Sequence, residues 1–458
     1  MSASLSPPVS GWKTLGLLNR YHWFVFVVAA LGWLADCMDQ QLFVLLRQSA
    51  VASLLGLPIK DPAVLHWRDV ATSVFLVGWA TGGLFFGVLG DRWGRVKTML
   101  LTILLYSMFT GLSAFSVGVW DFTFYRFLTG LGVGGEFAVG VALVAEVMPE
   151  RARPFTLGLL QALSAVGNVA AALLVQWSGP LKDMLGLGAY DSWRMLFVVG
   201  ILPALIALVV RGRLREPERW EKAGGPARKA GSYAELLGEE PWKRRAIAGL
   251  VLASAGVIGL WAIGFYAPDL QEQVFSQDLR AQNPEMAQDV LEAQVTKYKG
   301  QTSLMFQIGA FFGIFAFSTV TGVFGRRGAF ALFLLLAMGS TALVFMNFRS
   351  VGDIYWMMPL MGFCQLSLFG GYAIYFPELF PTRLRSTGTS FCYNVGRFVA
   401  ATGPLALIPL RAAFAHTATT SDSTLPSRYA ALALCSIFVI GLVALFFLPE
   451  TKGKPLPE

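Results

Sequence analysis

Gly87-Val88-Leu89-Gly90-Asp91-Arg92-Trp93-Gly94-Arg95 sets a short charged turn between two apolar runs, 70–89 and 97–117. Its opening, GVLG at 87–90, recurs as GVFG at 322–325 between another pair of apolar runs. Outward from these two turns the chain reads as twelve hydrophobic spans: 23–46, 70–89, 97–117, 122–146, 155–178 and 193–210, then 246–266, 302–323, 328–347, 353–376, 386–410 and 429–448. Backbone N–H and C=O groups in lipid must be paired inside a segment or inside a closed barrel, and runs of about 20 apolar residues select the helix. The expectation is an all-α polytopic membrane protein with twelve transmembrane helices and boundaries uncertain by about two to four residues.

Composition agrees. With 458 residues, 55% hydrophobic and 14% charged, and a mean hydropathy of +0.58, the chain is too apolar for a soluble surface. The first 22 residues lack the short apolar core and cleavage site of a signal peptide, so the first span is expected to stay as an anchor. With the N-terminus in the cytoplasm, loops on that side carry about 23 of the 36 Lys and Arg against about 11 opposite, the positive-inside sense. Both termini are then cytoplasmic and the expected location is a bacterial inner membrane. The net +8 follows from this topology, so no nucleic-acid partner is expected.

Cys37, Cys364, Cys392 and Cys435 all fall within spans, with neither metal-ligand nor disulfide spacing. His22, His66 and His416 lie near or beyond span ends. No nucleophile with its base and no metal constellation is present, which argues against an enzyme and leaves metal and cofactor roles empty except for a proton as coupling ion.

An internal duplication organises the chain. Glu146, Pro149 and Arg153 recur at the same spacing as Glu378, Pro381 and Arg385, and Gly167-Asn168 recurs as Gly396-Arg397. Two pseudo-symmetric six-helix bundles follow, residues 1–210 and 246–458, joined by a cytoplasmic connection over 211–245 with short helices expected around Tyr233 to Leu237. A solute site is expected between the bundles.

Together these residues resemble the major facilitator superfamily. The 87–95 stretch is similar to its signature loop between helices two and three. Arg126 with the glycines of span four, the Glu146 to Arg153 and Glu378 to Arg385 loops, Arg215-Glu216-Pro217-Glu218-Arg219-Trp220 and Pro449-Glu450-Thr451-Lys452-Gly453 resemble its sugar-porter and metabolite:proton symporter branches. Span seven lacks the Gln-rich sugar motif, and span ten has Phe369-Gly370-Gly371-Tyr372 where sugar porters carry Pro and Trp. Asp36-Cys37-Met38-Asp39 is similar to the paired aspartates of aromatic-acid and sialate:proton symporters, with Cys37 in place of a glycine. Arg397 also suits those acid carriers. The second loop copy, Gly325-Arg326-Arg327-Gly328, has no acidic residue, so the full charged latch is expected only in the first bundle.

Ionisable groups near mid-bilayer are expensive and mark a pathway for a charged solute or a proton. Asp36 and Asp39 share one face of span one, where desolvation and mutual repulsion make the pair a candidate proton carrier; the plainer alternative is a carboxylate that only satisfies a neighbouring helix. Glu136 is read as a third proton site or as a partner of Arg126. Arg397 stays charged when buried and needs an anion, either a substrate carboxylate held bidentately or a permanent protein partner. Asn394, Tyr393, Gln365, Gln307 and Asn168 are candidate hydrogen-bond donors to a solute, and Trp261, Tyr266 and Phe369 candidate walls; each could instead be ordinary packing. The resemblance implies a gate in Asp91, Arg92, Arg95, Glu146, Arg153, Glu378 and Arg385.

The sequence thus points to a secondary active transporter that carries a small organic anion in symport with protons, as a monomer in the lipid bilayer. The proposed cycle has ionised aspartates neutralising Arg397, and proton uptake releasing it to the substrate. A proton-coupled sugar or polyol porter is the alternative.

Overall fold

The computed structural model describes residues 11–59, 61–178, 184, 191–210, 212–223, 230–401, 410, 412–417 and 424–458. The first bundle comprises α1 (Arg20–Leu55), α2 (Pro62–Trp93), α3 (Arg95–Ser113), α4 (Val119–Val147), α5 (Arg153–Gln176), and a sixth crossing in two pieces, α6 (Ser192–Val199) and α7 (Leu202–Val210). Two short helices, α8 (Glu218–Lys222) and α9 (Tyr233–Gly238), stand in the connection. The second bundle comprises α10 (Trp242–Gln282), α11 (Gln288–Asn347), α12 (Ile354–Leu379), α13 (Arg385–Ala401), and a final crossing split into α14 (Leu425–Leu434) and α15 (Ser436–Ala444).

Local chemistry sets the helix ends. The Asn19 side chain accepts from the His22 backbone N–H at 2.8 Å while the Asn19 N–H donates to His22 Nδ1, which caps α1. Asp61 caps α2, with Pro62 at the first helical position. At Gly325, φ is 76° and ψ 179°, so the 60-residue α11 breaks there into an eighth and a ninth crossing.

Several helices outrun the expected spans. The polar stretch at 267–300 is largely helical, because α10 continues to Gln282 and α11 starts at Gln288. At 1.5 Å per residue, the 41 residues of α10 reach about 60 Å, roughly twice the hydrocarbon thickness. Hydropathy sees only the part of such a helix that lies in lipid.

α4 and α12 are deeply buried, more so than α1, α2, α3, α5 and α11. Glycines bring their neighbours close. A side chain at Gly134 would strike the Trp79 carbonyl and one at Gly82 the Leu131 carbonyl, so α2 and α4 meet backbone to backbone. The second bundle repeats the device, with Gly309 against Pro359 and Gly362 against Phe306 between α11 and α12.

Candidate functional site

The centre of the molecule is built on α1, α2, α4 and α13. Asp36, Asp39, Glu136 and Arg397 are each at most 3% exposed. On α1, Gln40 Nε2 donates to Asp36 Oδ2 at 3.2 Å. The Glu136 carboxylate approaches α1 at Gly32, where an added Cβ would lie 3.0 Å from Oε1. Gly32 and Asp36 are one turn apart, so the Glu136 and Asp36 acids share a face. Asp36 Oδ1, both Asp39 oxygens and both Glu136 oxygens have no hydrogen-bond partner. Buried oxygens in this condition are costly unless they hold a proton or receive a ligand.

Arg126 does not pair with Glu136, contrary to one of the two expectations for that acid. Its guanidinium donates to Ser113 Oγ at 2.6 and 3.1 Å and to the Phe109 carbonyl at 3.3 Å, among the rings of Phe43, Phe122 and Phe197. Glu136 belongs with Asp36 instead.

Arg397 lies between two aromatic faces, 4.1 Å from the Trp79 ring centre and 4.3 Å from that of Tyr393. Nη1 donates to the Tyr393 carbonyl at 2.8 Å and to Asn394 Oδ1 at 3.0 Å, and Nε is unpartnered. Among the described residues no carboxylate forms an ion pair with it, so the expected neutralisation of Arg397 by a contacting aspartate is absent from this conformation.

This cradle spans both bundles. Phe137 of α4 stacks on Tyr393 of α13 with centroids 4.1 Å apart, and Trp33 of α1 lies 4.7 Å from Phe137. The α13 helix reaches α2 because Gly83, Gly87 and Gly90 leave room for Asn394, Ser390 and Ser386. The Ser390 hydroxyl donates to the Gly83 carbonyl, and Asn394 Nδ2 to Ser390 Oγ at 3.0 Å. The indole nitrogens of Trp33 and Trp79 are buried without partners.

Other expected contacts lie apart from the cradle. Gln365 donates to Thr341 at 2.6 Å, a bond between α12 and the ninth crossing, which is the neighbouring-helix alternative for this side chain. Asn168 and Gln307 are half-buried, and their side chains make no hydrogen bond among the described residues. Phe369 meets Tyr393 edge-on at 6.2 Å. The side chains of Trp261 and Tyr266 lie outside the described residues. All four cysteines are free and buried.

The expected gate residues assemble at the basic end of the bundles. Glu146 accepts from Arg95 at 2.9 and 3.1 Å and from Arg385 at 2.6 Å. Asp91 pairs with Arg95 at 3.1 Å and accepts from the Ser386 and Thr387 backbone N–H groups at 3.0 and 2.8 Å. The Arg95 guanidinium also donates to the Thr382 carbonyl at 2.5 Å. These bonds join the bundles and close this end. Arg92 donates to the Ala230 carbonyl at 2.9 Å, and Arg153 to the Ala145 carbonyl at 2.7 Å, the latter matched in the second bundle by Arg385 on Pro377 at 3.1 Å. Toward the opposite end, a cavity of about 350 Å³ lies between Gln48 of α1 and Glu272 and Ser276 of α10.

The second bundle carries the arginine–glutamate part of the latch, with Gly322 where the first bundle has Asp91. Glu378 accepts from Arg326 at 2.8 and 3.0 Å and from Thr451 Oγ1 at 2.5 Å. Glu450 accepts from the Arg326 and Arg327 N–H groups at the start of the ninth crossing, as Glu216 accepts from Val96 and Lys97 at the start of α3. Gly94 (φ 117°) and Gly325 (φ 76°) are therefore equivalent, each turning the chain before the arginine that binds the bundle's glutamate. The sequence repeat had matched Gly325 with Gly90 instead. Glu216 and Glu450 differ in charge balance. Burial pushes the Glu216 carboxyl above its ordinary range despite its N–H donors; at Glu450 burial is outweighed by the N–H groups of Arg326, Lys452 and Arg327 and by the Arg326 charge, which hold it below.

Comparison with known proteins gives this architecture a family. The profile described as Major Facilitator Superfamily matches residues 23–404. A putative metabolite transport protein of Haemophilus influenzae is 28% identical over 447 residues, covering 96% of this chain and 99% of its own. A probable 4-methylmuconolactone transporter of Cupriavidus pinatubonensis is 30% identical over 385 residues, covering 81% of this chain and 79% of its own. Among solved structures, the proton:xylose symporter XylE bound to 6-bromo-6-deoxy-D-glucose superposes with a TM-score of 0.73 at 17% identity, covering 95% of this chain and 98% of its own, a likeness of fold.

Proposed function

This chain belongs to the Major Facilitator Superfamily, as a multi-pass membrane transporter, and on that premise we propose that it carries a small organic carboxylate in symport with protons. The observation that carries this reading is Arg397: a buried guanidinium at the seam of the two bundles, held by ring faces and neutral oxygens, with no carboxylate paired to it among the described residues. A fixed cation without a counter-ion in low dielectric favours an anionic ligand, and its planar edge matches a carboxylate. The flanking rings of Trp79 and Tyr393 suit a flat, unsaturated acid better than a polyhydroxylated ring. A relative named for 4-methylmuconolactone agrees with a small organic metabolite.

Asp36, Asp39 and Glu136 are the proposed proton sites. Protonation relieves three buried carboxyl groups that carry unpartnered oxygens and strengthens the positive field at Arg397, so anion binding and proton uptake favour each other. Because Arg397 has no aspartate contact to break, this coupling acts through space rather than by exchange of partners. The bundles at 1–210 and 246–458 would rock about this seam, with the connection at 211–245 and the gate bonds on the cytoplasmic side of a bacterial inner membrane, and the monomer as the working unit. In that orientation the basic-end network closes the cytoplasmic gate, and both termini are cytoplasmic.

Uptake into proteoliposomes under an inward proton gradient tests the proposal. Unsaturated monocarboxylates should accumulate with wild-type protein and fall to background with Arg397→Ala. Accumulation of neutral pentoses or hexoses, with carboxylates ignored, would replace this reading with a sugar porter.

A further inference from the structure

The lipid-facing seam between α10 and α15 contains a groove with both an apolar slot and a charged mouth. Ala248 and Ala444 form its buried floor at 6% and 4% exposure, and their small side chains leave a cavity of about 380 Å³. Its walls are apolar, with Ile247, Val443 and Phe447 each about half exposed. Such a slot within the bilayer is covered by hydrocarbon. At the basic end the slot meets Lys243 and Arg244, with Glu240 on the same rim. The Arg244 guanidinium lies 5.8 Å from the centre of the Phe447 ring, which holds it at the mouth. Neither cation has an ion-pair partner among the described residues. Two cations against one carboxylate leave a positive rim beside the apolar slot.

We propose that this groove binds one anionic phospholipid, with an acyl chain in the slot and the phosphate at Lys243 and Arg244. The charge complementarity selects an anionic headgroup over a zwitterionic one, because Lys and Arg near the surface attract acidic lipid. The site lies on the outer wall of the second bundle and does not depend on the cargo.

The test uses the full-length protein in nanodiscs of phosphatidylglycerol or phosphatidylcholine, followed by native mass spectrometry and thermal unfolding. Wild-type protein should retain one phosphatidylglycerol per chain and melt several degrees higher in phosphatidylglycerol than in phosphatidylcholine. The double variant Lys243→Gln, Arg244→Gln should lose both the retained lipid and the difference, with an unchanged midpoint in phosphatidylcholine. Val443→Trp, which fills the slot and keeps both cations, should lose the retained lipid as well. Equal retention of the two lipids by wild-type protein, or undiminished phosphatidylglycerol retention by either variant, would overturn the proposal. If the double variant fails to fold, Val443→Trp decides.

Discussion

Glu146 and Arg385 meet at 2.6 Å across the two bundles, although 239 residues separate them in the chain. Both side chains are fully buried, and Arg95 shares the same carboxylate. In the proposed alternating-access cycle this contact exists only while the basic end is closed, so it would bias the balance between transport states instead of the stability of either bundle alone.

Glu146→Gln should therefore shift the protein toward the state open at the basic end. Removing one partner of a buried pair costs about 3–5 kcal/mol, enough to invert a balance of a few kcal/mol. Spin-label distances across the basic end should lengthen in the variant, with uptake reduced. Unchanged distances would show that Asp91 and Arg95 suffice to close the gate.

The glycine contacts predict a sharp contrast in stability. Gly134→Ala should lower the melting midpoint strongly or prevent folding, because its new methyl group meets the Trp79 backbone. Gly339→Ala meets nothing within 4 Å and should be neutral or slightly stabilising. Thermal unfolding of the two variants in one detergent checks this.

The caps predict opposite responses to acid. Glu450 is held below its ordinary value near 4.5, so its stabilising contribution is complete above that value and is lost as pH falls through the folded-state value. Glu450→Gln should consequently destabilise the protein at pH 7, with the deficit shrinking below about pH 4.5. Glu216 is raised by burial, so its charged form opposes folding and acid favours the folded protein at this site. Glu216→Gln should thus show its larger relative cost at low pH. Melting midpoints of both variants between pH 4 and 7 test the two signs.

Trp79→Leu should weaken carboxylate uptake while leaving the fold intact. A cation–π face contributes about 0.5–2 kcal/mol, and about 1.4 kcal/mol corresponds to tenfold in affinity, so KM should rise from about twofold to about thirtyfold. An unchanged KM would mean that the ring packs the seam without tuning the cation.

The sequence made some of this visible and hid the rest for physical reasons. Asp36, Asp39, Glu136 and Arg397 stand out because a charge inside an apolar run has no routine explanation. Trp79, Phe137 and Trp33 do not, since an aromatic residue in a hydrophobic span looks the same whether it faces a solute, a lipid or a neighbour. Arg326, Glu216 and Glu450 could have been inferred from the motif duplication, but a bond between Arg326 and Glu450 depends on a fold that brings residues 124 apart together. Hydropathy located the crossings yet stopped at the membrane surface, which is why the length of α10 was unreadable. Gln365 is ambiguous in sequence because a polar side chain inside a span satisfies a neighbouring helix, here through Thr341, as readily as a solute.

The central claim is that a carboxylate binds at Arg397 while the neighbouring acids take up a proton. Isothermal titration of the purified protein with an unsaturated carboxylate that it transports, in buffers of different ionisation enthalpy at one pH, counts that proton directly. Wild-type protein should take up about one proton for each anion bound, Asp36→Asn should take up fewer, and Arg397→Ala should not bind. Binding that is independent of the buffer in wild-type protein, or undiminished in Arg397→Ala, would contradict the account.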